Sequence, residues 1–281
     1  MTLLYRVMTG WRLDLDKPVT WTEKLQWLKL YDNNRLYPTL VDKVAVKDYV
    51  DSLGESICVP RTFGVWERFS DIDFERLPEQ FVLKTTHDSG GTAICRNRAE
   101  FDAAAAKKVI RHSMGHRLHK QNLEWPYSGA VPRILAEELL PGDPPDRSPI
   151  DYKFFCFNGR AECVLVCTDR DIGYPKLFFF DRSWRFLRYN RQSIALAPGF
   201  SLPKPPAIDE MFDLAGRLSR GMPFVRVDLY WSKDRIYFGE FTFYPTSGFY
   251  REILPEANLY LGSRIDLRLS AGHSEKGARH R

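Results

Sequence analysis

The stretch Phe224-Val-Arg-Val-Asp-Leu-Tyr-Trp-Ser-Lys-Asp-Arg-Ile-Tyr-Phe-Gly-Glu-Phe-Thr-Phe243 decides how the chain is read. It forms two strand-like halves around a polar turn, with acids where an apolar core would be expected. Side chains alternate across a strand, so Val225, Val227, Leu229 and Trp231 share one face and Arg226 and Asp228 the other. In the second half Glu240 and Thr242 fall together, while Tyr237, Phe241 and Phe243 point away. A three-residue loop of Lys233, Asp234 and Arg235 would set Asp228 opposite Glu240 and Arg226 opposite Thr242. Opposed carboxylates with Cβ atoms about 5 Å apart repel unless a cation lies between them. Mg²⁺ accepts such a pair and leaves its other positions to water and phosphate oxygens. On the hairpin alone, a solvated sheet face with Arg226 pairing one acid is equally open.

A chain of 281 residues, 44% hydrophobic and 14% aromatic, is long enough for a sizeable core and one or two domains. A formal charge of +5 suits an anionic partner: a nucleotide, a sugar nucleotide, an acidic polysaccharide or the inner leaflet of a membrane. Peripheral membrane contact therefore stays open, while nucleic acid is not expected as a partner. The segment His273 to Arg281 is polar, basic and expected to be disordered. Neither a transmembrane stretch nor the basic-then-apolar order of a signal peptide is visible, so a cytosolic location is expected. Cys58, Cys95, Cys156, Cys163 and Cys167 contain no CxxC pair, which argues for reduced, mostly buried thiols.

Thr20-Trp-Thr-Glu23 has the form of a capping box and predicts a helix. A second helix is predicted over about Thr39 to Leu53, ending at Gly54, with Lys43 and Lys47 four apart on one face. Strands are predicted over Arg61 to Trp66, Gln80 to Thr85, Arg133 to Leu140, Asp151 to Phe157, Ala161 to Cys167 and Lys176 to Phe180. Further helices are expected from about Glu100 to Gln121 and Ile208 to Ser219. Segregated helices and antiparallel strands predict an α+β protein, with the Pro-rich loop Pro141 to Pro149 as a hinge.

Three further patterns carry chemistry. Phe81-Val-Leu-Lys-Thr-Thr-His-Asp-Ser-Gly-Gly-Thr92 is a strand ending near Lys84 and running into a small Ser-Gly-Gly loop. Glycines let backbone amides approach phosphate oxygens and a lysine adds a point charge, although the same turn serves many plain hairpins. Ile134-Leu-Ala-Glu-Glu-Leu-Leu140 ends an apolar strand in adjacent acids, which fits a nucleotide cleft or an ordinary surface pair. His112, His116 and His119 lie along one helical stripe, but neighbouring Arg111, Arg117 and Lys120 favour a solvated basic face over zinc.

In chain order, Asp42-Lys43, Lys84 with Ser89-Gly90-Gly91, Glu137-Glu138, Asp151-Tyr-Lys153, Arg226-Val-Asp228 and Glu240-Phe-Thr242 resemble the ATP-grasp superfamily. Phe81 to Gly91, Asp151 to Gly159, and Pro223 to Tyr230 with Gly239 to Pro245 are similar to the TupA-like ATP-grasp family of surface-polysaccharide gene clusters. The resemblance runs from about Trp21 to Leu269. It implies an α+β ATP-grasp fold, two lobes with ATP between them, preceded by a helical N-terminal segment. The implied division is a helical segment 1–59, a smaller lobe 60–138 with the glycine-rich flap, a larger lobe 139–269 with the metal hairpin, and a basic tail 270–281.

The same resemblance implies the site. Lys43 and Lys84 would contact ATP phosphates beneath a flap of Ser89, Gly90 and Gly91; Glu137, Glu138 and Leu139 would form the adenine hinge. Asp151 or Lys153 would lie near ribose or phosphate, and Asp228 and Glu240 would bridge Mg²⁺ to the phosphates. Arg226 would stabilise the transferring phosphoryl group, and Arg170 or Lys176 would hold the γ-phosphate. Thr242 stands where the superfamily usually has asparagine, and Pro245-Thr-Ser-Gly248 would meet the acceptor. The implied activity is an ATP- and Mg²⁺-dependent carboxylate–amine ligase that forms an amide through an acylphosphate. Its expected substrates are a uronic acid of a surface polysaccharide or its precursor and an amino acid or amine. The rival reading is a glycosyltransferase using a nucleotide sugar, for which Asp71-Ile-Asp73 is the literal D-x-D match.

Overall fold

A computed structural model of the chain describes residues 1–270 apart from 89, 117–119, 121, 146, 170–172 and 174. The predicted disorder of the basic tail falls outside the described residues, apart from residue 270. The chain forms two compact units. The first comprises residues 1–35, 150–231 and those from 241 onward; the second comprises 36–149 and 232–240.

In the second unit, β1 (Thr62–Trp66), β2 (Phe81–Thr85), β3 (Thr92–Cys95) and β4 (Ile134–Glu137) form an antiparallel sheet in the order β1-β4-β2-β3. Phe81 and Leu83 of β2, Cys95 of β3, and Ile134 and Ala136 of β4 pack with Ile110 of the helix Ala103–Met114 in one apolar cluster. That helix begins later than predicted because the Asp102 carboxylate accepts from the Ala105 amide at 2.9 Å and caps it.

The single helix predicted over Thr39 to Leu53 is two helices, Tyr37–Val41 and Ala45–Ser52. Asp42 breaks it. Its Oδ1 accepts from the Val44 and Ala45 amides at 2.8 and 3.0 Å, an arrangement that starts a helix and cannot sit within one. Arg133 donates to the other oxygen at 2.8 Å. Lys43 is left in the break and not on a helical face shared with Lys47.

The first unit is built on β5 (Asp151–Phe157), β6 (Arg160–Thr168), β7 (Lys176–Phe180), β8 (Phe186–Leu187) and β9 (Phe224–Ser232), in a sheet of order β10-β9-β5-β6-β7-β8 with β10 (Arg235–Thr242) at its edge. The helix Ile208–Leu218 sets Phe212 edge-on against Phe154, ring centres 4.9 Å apart. The capping box at Thr20 and Glu23 forms as predicted, starting the helix Trp21–Tyr31. Trp21, 0% exposed, lies within 6 Å of the rings of Phe155, Phe224 and Tyr250. Thr22 and Asn258 exchange side-chain hydrogen bonds, and Lys24 donates to the carbonyls of Gly262 and Ile265 at 2.8 Å. Any side chain at 262 would drive a Cβ to 2.2 Å from the Val19 carbonyl oxygen, so the close approach requires glycine there.

The hairpin closes with two loop residues and not three. Lys233 and Asp234 have φ of 51° and 53°, the left-handed pair that a mirror-image type I turn requires. In the second unit the outer part of the hairpin bonds to Cys58, whose amide donates to Ile236 and whose carbonyl accepts from Phe238. All five cysteines are free thiols and four are buried. Among the described residues no helix is long and apolar enough to cross a membrane.

Candidate functional site

The strand β4 ends in Glu137, 4% exposed, at a place where a lone carboxylate would be costly. Two lysines reach it, Lys84 from β2 at 2.5 Å and Lys47 from the helix Ala45–Ser52 at 2.7 Å. Burial pushes the Glu137 pKa up, but the two ammonium groups outweigh it and hold the carboxyl below its ordinary value. The Glu137 side chain is thus engaged in orienting lysines. Glu138 pairs with Lys233 at 3.0 Å while its amide donates to Arg61, and Leu139 follows the end of the strand.

Lys43 projects from the helix break into the same neighbourhood. Crowding around its ammonium lowers its pKa, partly offset by the nearby carboxylate of Glu240, with Lys84 pushing the same way as burial. The ammonium donates to the Asp88 carbonyl at 2.5 Å. The second unit therefore gathers Lys43, Lys47, Lys84, Glu137 and Glu240, which count one positive charge in excess. Such a cluster attracts an anion and gives it lysine donors already aimed.

The glycine-rich loop is less uniform than the sequence suggested. Gly90 is exposed, with nothing within 4 Å of a built Cβ, whereas a Cβ on buried Gly91 would lie 2.3 Å from Ser113 Oγ and 2.4 Å from Thr85 Oγ1. Gly91 is required by packing against the protein's own hydroxyls. Ser89 lies outside the described residues.

In the first unit, five polar side chains run in series from β5 across β9 to the end of β10. Asp151 and Lys153 lie 2.5 Å apart, Lys153 and Asp228 2.6 Å apart, and Arg226 grips both oxygens of Asp228 at 2.6 and 2.7 Å. Arg226 then donates to Thr242 Oγ1 at 3.0 Å. The β5–β9 register places Lys153 directly opposite Asp228 and Phe155 opposite Arg226. Asp228 is 1% exposed, which removes the solvated-face alternative. Its carboxylate is a hard oxygen donor of the kind Mg²⁺ takes, as is that of Glu240. Among the described residues no group of three or more His, Cys, Asp or Glu could hold a metal. Mg²⁺ itself takes only a couple of carboxylates and draws its remaining ligands from water and phosphate.

Lys176, at the start of β7, pairs with Asp169 at 2.9 Å and is well exposed; Arg170 lies outside the described residues. Pro245–Gly248 carries two consecutive left-handed residues, Thr246 and Ser247, and buried Gln26 donates to the carbonyls of Ser247 and Gly248. The D-x-D match does local work: Asp73 caps the Glu75 amide and pairs with Arg76, and both aspartates are exposed. A thiol nucleophile is disfavoured, since burial pushes Cys156 up to about 12.

Sequence reasoning missed Asp88, Ser113 and His116. The buried Asp88 carboxylate accepts from Ser113 Oγ and lies 2.6 Å from His116 Nδ1. His116 therefore faces an acid 28 residues earlier, not a solvated basic surface. The available signal was a polar His87-Asp88 pair directly after an apolar strand.

The TupA-like ATPgrasp family model matches residues 23–266. Among solved structures the chain is similar to the ATP-grasp ligase PsnB complexed with minimal precursor, at 14% identity and a TM-score of 0.43, covering 79% of this chain and 59% of that one. It is also similar to D-alanine–D-alanine ligase from Bacillus anthracis complexed with ATP, at 14% identity, TM-score 0.48, with 89% and 70% covered. The corresponding ligase from Helicobacter pylori gives 12%, 0.46, 87% and 69%. The chain thus spans less than two thirds of the PsnB chain it matches. No curated protein matches it.

Proposed function

Because the chain belongs to the TupA-like ATP-grasp family, and so has the ATP-grasp fold, we propose that it is an ATP- and Mg²⁺-dependent carboxylate–amine ligase. The observation that carries this reading is the salt bridge that holds Lys84 on buried Glu137, with Lys43 within electrostatic reach of Lys84, Glu137 and Glu240. In this reading the two lysines bind ATP phosphates, and Asp228, Glu240 and Thr242 hold Mg²⁺, which neutralises phosphate charge when bound. Arg226 donates to the phosphoryl group in flight, and Lys153 keeps Asp228 aimed until nucleotide arrives. Gly90 and Gly91 carry the flap, Glu138 and Leu139 the adenine hinge, and Asp151 supports Lys153. Lys176 and Arg170 are assigned to the γ-phosphate.

A substrate carboxylate attacks the γ-phosphorus, forming an acylphosphate and releasing ADP; an amine then displaces phosphate to give the amide. Such chemistry asks the protein for positioning and charge neutralisation, not for a nucleophile of its own. We assign the carboxylate to a uronic acid of a surface polysaccharide or its precursor, the amine to an amino acid or simple amine, and the location to the cytosol. Purified protein incubated with ATP, Mg²⁺ and a uronic acid should release ADP and phosphate in sustained turnover when an amine is added, with amide formed in step. Consumption of a nucleotide sugar without ATP turnover would overturn this reading.

A further inference from the structure

Lys43 has no helix to hold it, and its ammonium is steered by a backbone carbonyl, that of Asp88. That carbonyl is fixed by what the Asp88 side chain does. Its carboxylate, 4% exposed, accepts from Ser113 Oγ at 2.6 Å and lies 2.6 Å from His116 Nδ1, both at the end of the helix Ala103–Met114. Ser113 has one proton and uses it on Asp88, so in its 2.7 Å contact with Thr85 the threonine must donate. Thr85 ends β2, one residue after Lys84, and its amide donates to the Gly91 carbonyl across the loop stem at 2.9 Å. Gly91 admits this close approach only because it lacks a Cβ.

We propose that Asp88 is a positioning residue: with Ser113, His116 and Thr85 it locks the stem of the glycine-rich loop, and its carbonyl holds Lys43 in its working direction. Asp88 touches no reacting atom in this account and acts only through Lys43. The inference rests on the ATP-binding reading for its consequence but not for its geometry.

The test is a double-mutant cycle on Mg²⁺·ATP binding, measured by calorimetry on the full chain, with Lys43→Met, Asp88→Asn and the pair. Asp88→Asn should weaken binding by about tenfold, the scale of a hydrogen bond to a charged group. The pair should be no weaker than Lys43→Met alone. Penalties that simply add would overturn the proposal. A second arm needs no nucleotide: the rate at which acetic anhydride labels Lys43, read by mass spectrometry against Lys84. Asp88→Asn should raise Lys43 labelling several-fold and leave Lys84 unchanged; an unchanged Lys43 rate refutes the positioning role. If wild type fails to bind Mg²⁺·ATP, the ATP-binding reading falls and the labelling arm alone decides this one. Should Asp88→Asn not fold, Ser113→Ala removes one of its side-chain restraints and is held to the same outcomes.

Discussion

Lys153 and Asp228 stand directly opposite each other on neighbouring antiparallel strands, ammonium to carboxylate 2.6 Å, with the aspartate 1% exposed. Asp151 and Arg226 extend the pair to two acids and two bases, so the group is neutral as a whole. Removing one member leaves an uncompensated charge among the others.

Asp228→Asn should therefore destabilise the fold as well as abolish turnover. The cost should be about 2–4 kcal/mol, below the full value for a deeply buried pair because the cations keep some solvent contact. The pair Asp228→Leu with Lys153→Met should recover much of the stability and none of the activity. Urea midpoints read beside ATP turnover check this, and a fully stable Asp228→Asn would show that the carboxylate is not balancing the bases.

The two loop glycines should separate cleanly. Gly90→Ala should change stability by less than about 0.5 kcal/mol, as an exposed substitution does. Gly91→Ala pushes a methyl into two hydroxyls and should cost about 1–3 kcal/mol. Thermal melts of the two variants measure the difference, and equal melting temperatures would contradict the packing described for Gly91.

Glu137 gives a pH signature. Its pKa is lower in the folded chain than in the unfolded one, so its contribution is present above the ordinary carboxyl value of 4.5 and is lost as pH falls through the lower folded value. Wild type should thus lose stability faster than Glu137→Gln on acidification below about pH 4.5. At neutral pH the variant should be the less stable of the two, because Lys47 and Lys84 lose their common counter-charge. Unfolding midpoints at both pH values test the sign.

Nucleotide binding should appear as stabilisation that depends on metal. Mg²⁺·ATP at a hundred times its dissociation constant should add about 2.7 kcal/mol. Chelation should remove that gain and leave the ligand-free melt unmoved. Lys84→Met should shrink the gain, and a Lys84→Met protein stabilised as fully as wild type would exclude the lysine from the phosphates.

Much of the architecture was legible because it rests on local patterns. The capping box at Thr20, the strands from Phe81 and Asp151, and the hairpin from Phe224 all follow from periodicity and short-range hydrogen bonding. The α+β class and the superfamily resemblance came from the order of charged residues along those strands. The break at Asp42 was not legible, since an aspartate within an otherwise helical pattern becomes a cap only when its neighbours allow it and Arg133, 91 residues away, holds it. The hairpin loop was mistaken by one residue because Lys233 and Asp234 lack the glycine that usually announces a left-handed pair. Asp88 and His116 were read in isolation, one as part of a flexible loop and the other as part of a basic face. Only the fold brings them together.

The indole of Trp21 bears on where this chain can be cut. The polar site residues all follow Leu36, and a designer guided by chemistry alone would discard the helix Trp21–Tyr31 as a dispensable extension. Doing so would leave a hole the size of a tryptophan where Phe155, Phe224 and Tyr250 meet, and Phe224 begins the strand that carries Arg226 and Asp228. The smallest portable module is thus set by carbon packing, and it must begin upstream of Lys43, the first residue of the proposed site.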